Sequence, residues 1–180
     1  MIRLFAAVEI PEQLRLQLSL LQGGMPGARW TPLENMHLTL RFIGEVDQAV
    51  ARDIDDVLAD LRAPGFSLSL KGVGEFGRKE GRALWAGVDT AEPLQHLAAK
   101  IESALQRMGL PAETRKYSPH VTLARLKDVP MGDIQAFLTA HALFRSPPFE
   151  VEQFVLFSST HSAKGSRYRV ESVYPLGAVR

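Results

Sequence analysis

Two short runs of this chain alternate polar and apolar residues in the same pattern. They are His37-Leu38-Thr39-Leu40 and, 83 residues later, His120-Val121-Thr122-Leu123. Alternation of this kind marks a strand with one face in a core and one face open. Residues two apart point the same way, so His37 and Thr39 share an open face, as do His120 and Thr122. Leu38, Leu40, Val121 and Leu123 then point inward. One His-x-Thr arises easily by chance. Two in matching strand contexts, one in each half, arise by chance far less often.

The same reading extends along the chain. Residues 2–8 read as a first strand, and Pro11 opens a leucine-rich helix to about residue 21, stopped by Gly23-Gly24. Residues 28–31 and 36–43 read as strands, the second carrying the first motif. Asp47 is placed to cap a helix to about residue 61, with Val50, Ile54, Val57, Leu58 and Leu61 on one face. Residues 66–70 return as a strand, and the glycine-rich stretch 72–81 reads as a loop and as the boundary between halves. A strand at 83–88 follows. Next comes a helix over 92–108, with Leu94, Leu97, Ala98, Ile101, Ala104, Leu105 and Met108 in register and Gly109 and Pro111 ending it. Residues 120–126 form the second motif strand and 131–141 a helix. Strands at 149–157 and 168–174 flank a polar loop. Each half thus runs strand, helix, motif strand, helix, strand. This predicts an α+β fold: one domain over 1–180 made of two pseudo-symmetric lobes. Antiparallel sheets line a central cleft, with helices outside.

Composition narrows the function. With 46% hydrophobic residues the chain can build a core without staples. A net charge of +1 does not suit a protein that coats long nucleic acid, though it allows a local anion site. Fifteen arginines against six lysines favour planar phosphate recognition, or reflect a composition bias of the source genome. The absence of cysteine excludes disulfides, thiolate metal sites and cysteine nucleophiles. The opening residues lack a cleavable signal pattern and no stretch approaches a membrane span, so a soluble cytoplasmic protein is expected.

Two opposed histidines can do paired proton chemistry. One imidazole takes a proton from a nucleophile while the other gives one to a leaving group, and a bell-shaped pH profile near neutrality is expected. A 2′,3′-cyclic phosphate suits such a pair, because attack and departure lie in line on opposite sides of phosphorus. Thr39 and Thr122 can donate to the non-bridging oxygens, where charge develops. No carboxylate or third histidine sits at ligand spacing beside either motif, so no metal and no cofactor is expected.

The stretch Arg29-Trp30 through Asn35-Met36-His37-Leu38-Thr39-Leu40-Arg41-Phe42-Ile43-Gly44-Glu45 resembles the first signature of the 2H phosphoesterase superfamily. Ser118-Pro119-His120-Val121-Thr122-Leu123-Ala124-Arg125 resembles the second. Within that superfamily the flanks are similar to the bacterial and archaeal RNA 2′,3′-cyclic phosphodiesterases, long called 2′-5′ RNA ligases. The resemblance implies hydrolysis of a terminal cyclic phosphate to a 2′-phosphate, with reversible, ATP-independent 2′-5′ ligation. It also implies His37 as proton donor and His120 as proton acceptor, a choice that spacing alone leaves open. RNA ends or small cyclic-phosphate nucleotides are the expected partners of a monomer that needs no protein partner and no membrane. The same chemistry would serve a phosphodiesterase for small cyclic-phosphate nucleotides or 2′-5′ oligonucleotides. A non-catalytic RNA-end-binding module is the third reading, which the intact tetrads disfavour.

Three flanking residues are candidates for substrate binding. By parity Arg41 shares the face of His37, as a phosphate contact or a solvated edge charge. Arg125 lies five positions after His120, and Phe42 five after His37, so strict alternation turns both away. The family pattern nevertheless points to Arg125 on the phosphate and Phe42 on the nucleobase, which requires a bulge or a strand end to re-aim them. Arg115, Lys116 and Tyr117 could line the cleft mouth or lie in solvent. Gly72-Val73-Gly74-Glu75-Phe76-Gly77 spells a dinucleotide fingerprint but is not followed by a helix, so it is set aside. His96, His141 and His161 carry no motif.

Overall fold

The computed structural model describes residues 1–78 and 81–178. Strand β1 (Ile2–Glu9) leads to helix α1 (Glu12–Ser19), strand β2 (Ala28–Trp30), a single 3-10 turn (Leu33–Asn35) and the first motif strand β3 (His37–Val46). Helix α2 (Gln48–Ala59), strands β4 (Phe66–Leu68), β5 (Leu70–Arg78) and β6 (Gly81–Val88), and helix α3 (Glu92–Arg107) follow. The second motif strand β7 (Val121–Leu126), helix α4 (Met131–Ala140), and strands β8 (Phe149–Val151), β9 (Gln153–Ser162) and β10 (Gly165–Pro175) complete the chain. The class is α+β and every pairing between named strands is antiparallel, as the pattern predicts. No described helix is long and apolar enough to cross a membrane.

One four-stranded sheet runs β10-β9-β1-β3 and the other β2-β7-β6-β5. Each therefore holds one motif strand at or next to its edge. The two halves exchange strands. β5, from the first half, pairs with β6 of the second, while β9, from the second, pairs with β1 of the first. The equivalent strands β4 and β8 pair with each other. The expected boundary at 72–81 thus divides the motifs in sequence without dividing the sheets; its Lys79 and Glu80 lie outside the described residues.

The helices bury their predicted faces against one continuous core. Leu94, Leu97, Ile101 and Leu105 of α3 and Ile54 and Leu58 of α2 join Leu38, Leu40, Val121 and Leu123 of the motif strands. Asp47 caps α2, its Oδ1 accepting from the Val50 amide at 2.8 Å. A second, smaller cluster of Phe5, Ala7, Val155 and Phe157, covered by Tyr168, lies apart from this core.

Two segments read as loops are strands. Residues 72–78 belong to β5, because their glycines serve the sheet. A Cβ at Gly74 would stand 2.2 Å from the Trp85 ring, which lies across that position. Gly72 and Gly77 hold φ of +73° and +116°, which side chains rarely adopt. The polar stretch 158–167 continues β9 and opens β10, a long hairpin whose exposed face needs no apolar residues.

Candidate active site

The bulges decide what the site contains. Along β1–β3, Ala7 pairs with Thr39 and Ala6 with Arg41, so Leu40 is an extra residue. Along β6–β7, Trp85 pairs with Thr122 and Leu84 with Ala124, so Leu123 is extra at the equivalent position. A bulge reverses the parity of the residues beyond it on its strand. Arg41 is thereby turned into the protein, at 9% exposure, and Phe42 is turned out, at 40%. In the other strand Ala124 is buried and Arg125 comes out on the face of Thr122 and His120. Strict alternation placed Arg41 in the cleft and Arg125 and Phe42 out of it; the geometry is the reverse for all three.

Arg41 is engaged elsewhere. Its Nε pairs with Glu102 of α3, its Nη1 donates to the Phe42 carbonyl, and its Nη2 donates to the Pro111 carbonyl at 2.7 Å. Glu102 also accepts from the Glu113 amide at 2.8 Å and from Gln106 at 2.7 Å. Burial works to raise the Glu102 carboxyl, but these donors hold it below its ordinary value. The cluster ties β3 and α3 to the segment that leads to His120. Tyr117, in the same segment, donates its hydroxyl to the Thr39 carbonyl at 3.0 Å and so joins the two motif strands. Burial raises the Tyr117 hydroxyl, keeping it a donor.

The backbone two residues upstream faces each histidine, and at His120 it makes a hydrogen bond. His120 Nδ1 donates to the Ser118 carbonyl at 2.7 Å. A carbonyl only accepts, so the proton sits on Nδ1 and Nε2 is left as the acceptor. The His37 ring bonds to the backbone of Asn35. Asn35 is anchored in turn by its Nδ2, which donates to the Ser166 carbonyl of β10 at 3.0 Å.

The surroundings of the two rings differ. His37 packs on Phe5 (4.9 Å between ring centres), Tyr168 (5.2 Å, edge-on) and Phe157 (6.1 Å). Desolvation by these neighbours lowers its pKa from 6.5 to about 4; the Asn35 bond works against that shift, and the charges of Arg15 and His120 add to it. His120 meets Phe76 edge-on at 4.8 Å and Trp85 at 6.3 Å. Its pKa is also lowered, by desolvation first and by the nearby Arg125 charge, against the Ser118 bond. The two imidazoles stand on different sheets, and the His120 charge is felt at His37. Thr39 and Thr122 are half-buried beside them, and Arg125 is on the His120 side. Phe42 stacks over Phe5 at 6.3 Å, with Arg3 over its ring at 5.3 Å.

Sequence reasoning missed the aromatic enclosures, Phe5, Phe157 and Tyr168 on one side and Phe76 and Trp85 on the other, and the nearby Arg15. Phe5 and Phe157 are single aromatics on their faces of β1 and β9, and which sheet β9 joins is not written in its local pattern. Of the flanking candidates, Arg115 pairs with Glu113 in solvent. His96 pairs with Glu92, His141 packs on Phe137 and His161 meets Ser166. Among the described residues no three His, Asp or Glu side chains cluster as metal ligands.

Known proteins resemble this chain in sequence and fold. Residues 11–163 match the family described as the 2'-5' RNA ligase superfamily. A Thermotoga maritima protein named RNA 2',3'-cyclic phosphodiesterase is 36% identical over 178 residues, covering 93% of this chain and 92% of its own. Escherichia coli LigT in apo form superposes with a TM-score of 0.78 at 27% identity, over 98% of each chain. LigT complexed with 3'-AMP gives a TM-score of 0.78 at 26% identity, over 97% of this chain and 98% of that one.

Proposed function

The chain belongs to the 2'-5' RNA ligase superfamily, and from that premise we propose that it opens 2′,3′-cyclic phosphate ends of RNA to 2′-phosphomonoesters, without a metal. The observation that carries this reading is the matched pair of bulged strands, which presents one imidazole, one threonine hydroxyl and one re-aimed side chain from each lobe to a common cleft. His120 Nε2 takes a proton from water as its oxygen attacks phosphorus. The P–O3′ bond breaks, and His37 gives its proton to the departing 3′ oxygen. Thr39, Thr122 and Arg125 bind the non-bridging oxygens, which gather charge in the transition state. Phe42 offers its face to the terminal base.

The lowered His37 pKa adds a step. In the empty cleft both rings are neutral at pH 7. A bound phosphate anion favours the imidazolium form, so His37 takes up its proton together with the substrate. A 5′-hydroxyl in place of water forms a P–O5′ bond as P–O3′ breaks, which yields a 2′-5′ linkage through the same residues. Both tetrads lie in one chain, so a monomer suffices, and with RNA as substrate the working compartment is the cytoplasm.

The test is hydrolysis of an RNA oligomer with a 2′,3′-cyclic phosphate end in excess EDTA. The expected product carries a 2′-phosphate at an undiminished rate. A 3′-phosphate product, or loss of turnover on chelation, overturns the reading.

A further inference from the structure

Beside His120 the cleft opens into a groove of about 540 Å³ that the reaction above does not use. Its lining includes Trp85 and Gly87 of β6, Lys71 of β5, Gln95 of α3, and Lys116 and Ser118 of the segment that leads into His120. The indole lies flat on the sheet because its neighbours are glycines. A Cβ at Gly74, its cross-strand partner, would stand 2.2 Å from the ring, and one at Gly87, two residues on, 3.2 Å from it. Among the described residues Trp85 Nε1 has no hydrogen-bond partner, so face contact rather than a polar bond sets the ring. One face thus rests on backbone and the other floors the groove. Lys116 is exposed, and among the described residues Lys71, more than half exposed, has only a 3.7 Å contact with Asp89.

Among the described residues the first lobe has no counterpart. Ala7 stands opposite Thr39 where Trp85 stands opposite Thr122, and Ala7 and Val155 are buried beneath Phe5, Phe157 and Tyr168. The groove therefore extends the cleft in one direction only.

We infer that Trp85 is a stacking platform for the nucleotide immediately upstream of the cyclic phosphate, with Lys71 and Lys116 neutralising the connecting phosphodiester. Aromatic faces beside basic side chains bind single strands this way, with little regard to base. The inference rests on the cyclic-phosphodiesterase reading and narrows it: the preferred substrate is an RNA strand rather than a free cyclic nucleotide.

Two measurements test it. The first compares kcat/KM for a cyclic-phosphate-ended trinucleotide with that for the 2′,3′-cyclic mononucleotide. The wild-type protein prefers the trinucleotide. Trp85→Leu lowers that preference roughly 5- to 150-fold, the equivalent of one lost stacking contact. The second needs no turnover. Trp30→Phe leaves Trp85 as the sole tryptophan, and its emission is followed on titration with 2′-phosphate-ended trinucleotide or mononucleotide. Quenching by the trinucleotide alone is expected. In the Lys71→Ala, Lys116→Ala double variant the slope of log affinity against log salt falls by roughly 0.7 per lysine. Hydrolysis of both substrates with equal efficiency, or trinucleotide binding that leaves Trp85 emission unchanged, overturns the platform and leaves the proposed activity standing. Hydrolysis of neither overturns the activity, and the emission titration still decides the platform.

Discussion

The two lobes carry the same apparatus in different surroundings. Both present His-x-Thr on a strand bulged at the fourth residue of its motif, with the backbone two residues upstream facing the imidazole. They part at the layer behind the ring. In the first lobe three aromatics close over His37 and drive its pKa to about 4. In the second, Phe76 and Trp85 flank His120 and leave a groove open beside it. The duplicated scaffold positions the two groups, and the aromatic packing makes them chemically unequal. The packing leaves His37 unprotonated before substrate arrives, so its role as acid depends on the proton that the bound phosphate anion holds on it.

The sharpest way to break the comparison is to remove each histidine in turn. His37→Ala and His120→Ala should each lower kcat about 10²- to 10⁴-fold, the usual worth of general acid–base help. A 3′-thio leaving group departs without a proton. It should restore His37→Ala and leave His120→Ala slow. Restoration of the other variant exchanges the two roles, and near-full activity in either variant removes the two-histidine mechanism.

Much of this was legible in the sequence because it depends on short periods. Alternation gave the motif strands and their inward leucines, and the 3.6 period gave the buried face of α3. Asp47 gave a cap. The parity of Arg41, Phe42 and Arg125 was not legible, because a bulge belongs to the pairing of two strands and leaves no mark in one. Glu102, the partner of Arg41, lies 61 residues away. The strand at 72–78 reads as a loop until the Trp85 ring is seen lying over Gly74. The exchange of β5 and β9 between lobes is a tertiary choice that local pattern does not encode.

The bulges set a second contrast. Arg41 in one strand stands where Ala124 stands in the other. Arg41→Met should cost about 3 kcal/mol in urea unfolding, because it leaves the Glu102 carboxylate partly buried without its charge partner. KM should change little, since the guanidinium does not face the cleft. Arg125→Met should do the opposite, raising KM with little loss of stability. A raised KM in Arg41→Met at unchanged stability would put Arg41 back on the substrate.

Proton linkage tests the inequality without substrate. The fold prefers His37 neutral, so protonation favours the unfolded chain. The stability this group contributes is complete above pH 6.5 and is withdrawn as the pH falls through about 4. Over that window the loss reaches up to about 3 kcal/mol. His37→Gln should flatten the dependence, measured as unfolding free energy against pH. The activity profile moves the same way. kcat/KM reports the free protein and should peak on the acid side of neutrality, below the pH where two unperturbed imidazoles would centre it. kcat reports the loaded cleft, whose anion raises both groups, and should peak higher.

The smallest effect isolates the cause of the shift. Tyr168 covers His37 edge-on from the half-exposed strand β10, so Tyr168→Ala admits water to the ring without cutting the main core. If desolvation dominates, the His37 pKa, followed by NMR titration of the ring protons, should rise by about 1 unit, worth about 1.4 kcal/mol. Phe76→Ala, which uncovers the other ring, should leave His37 in place and raise His120. The alternative cause is charge, from Arg15 and from His120 itself. In that case Tyr168→Ala leaves the titration where it was and Arg15→Gln moves it. The first outcome makes aromatic packing the device that separates two otherwise equal histidines. The second makes it the unequal placement of arginines around them.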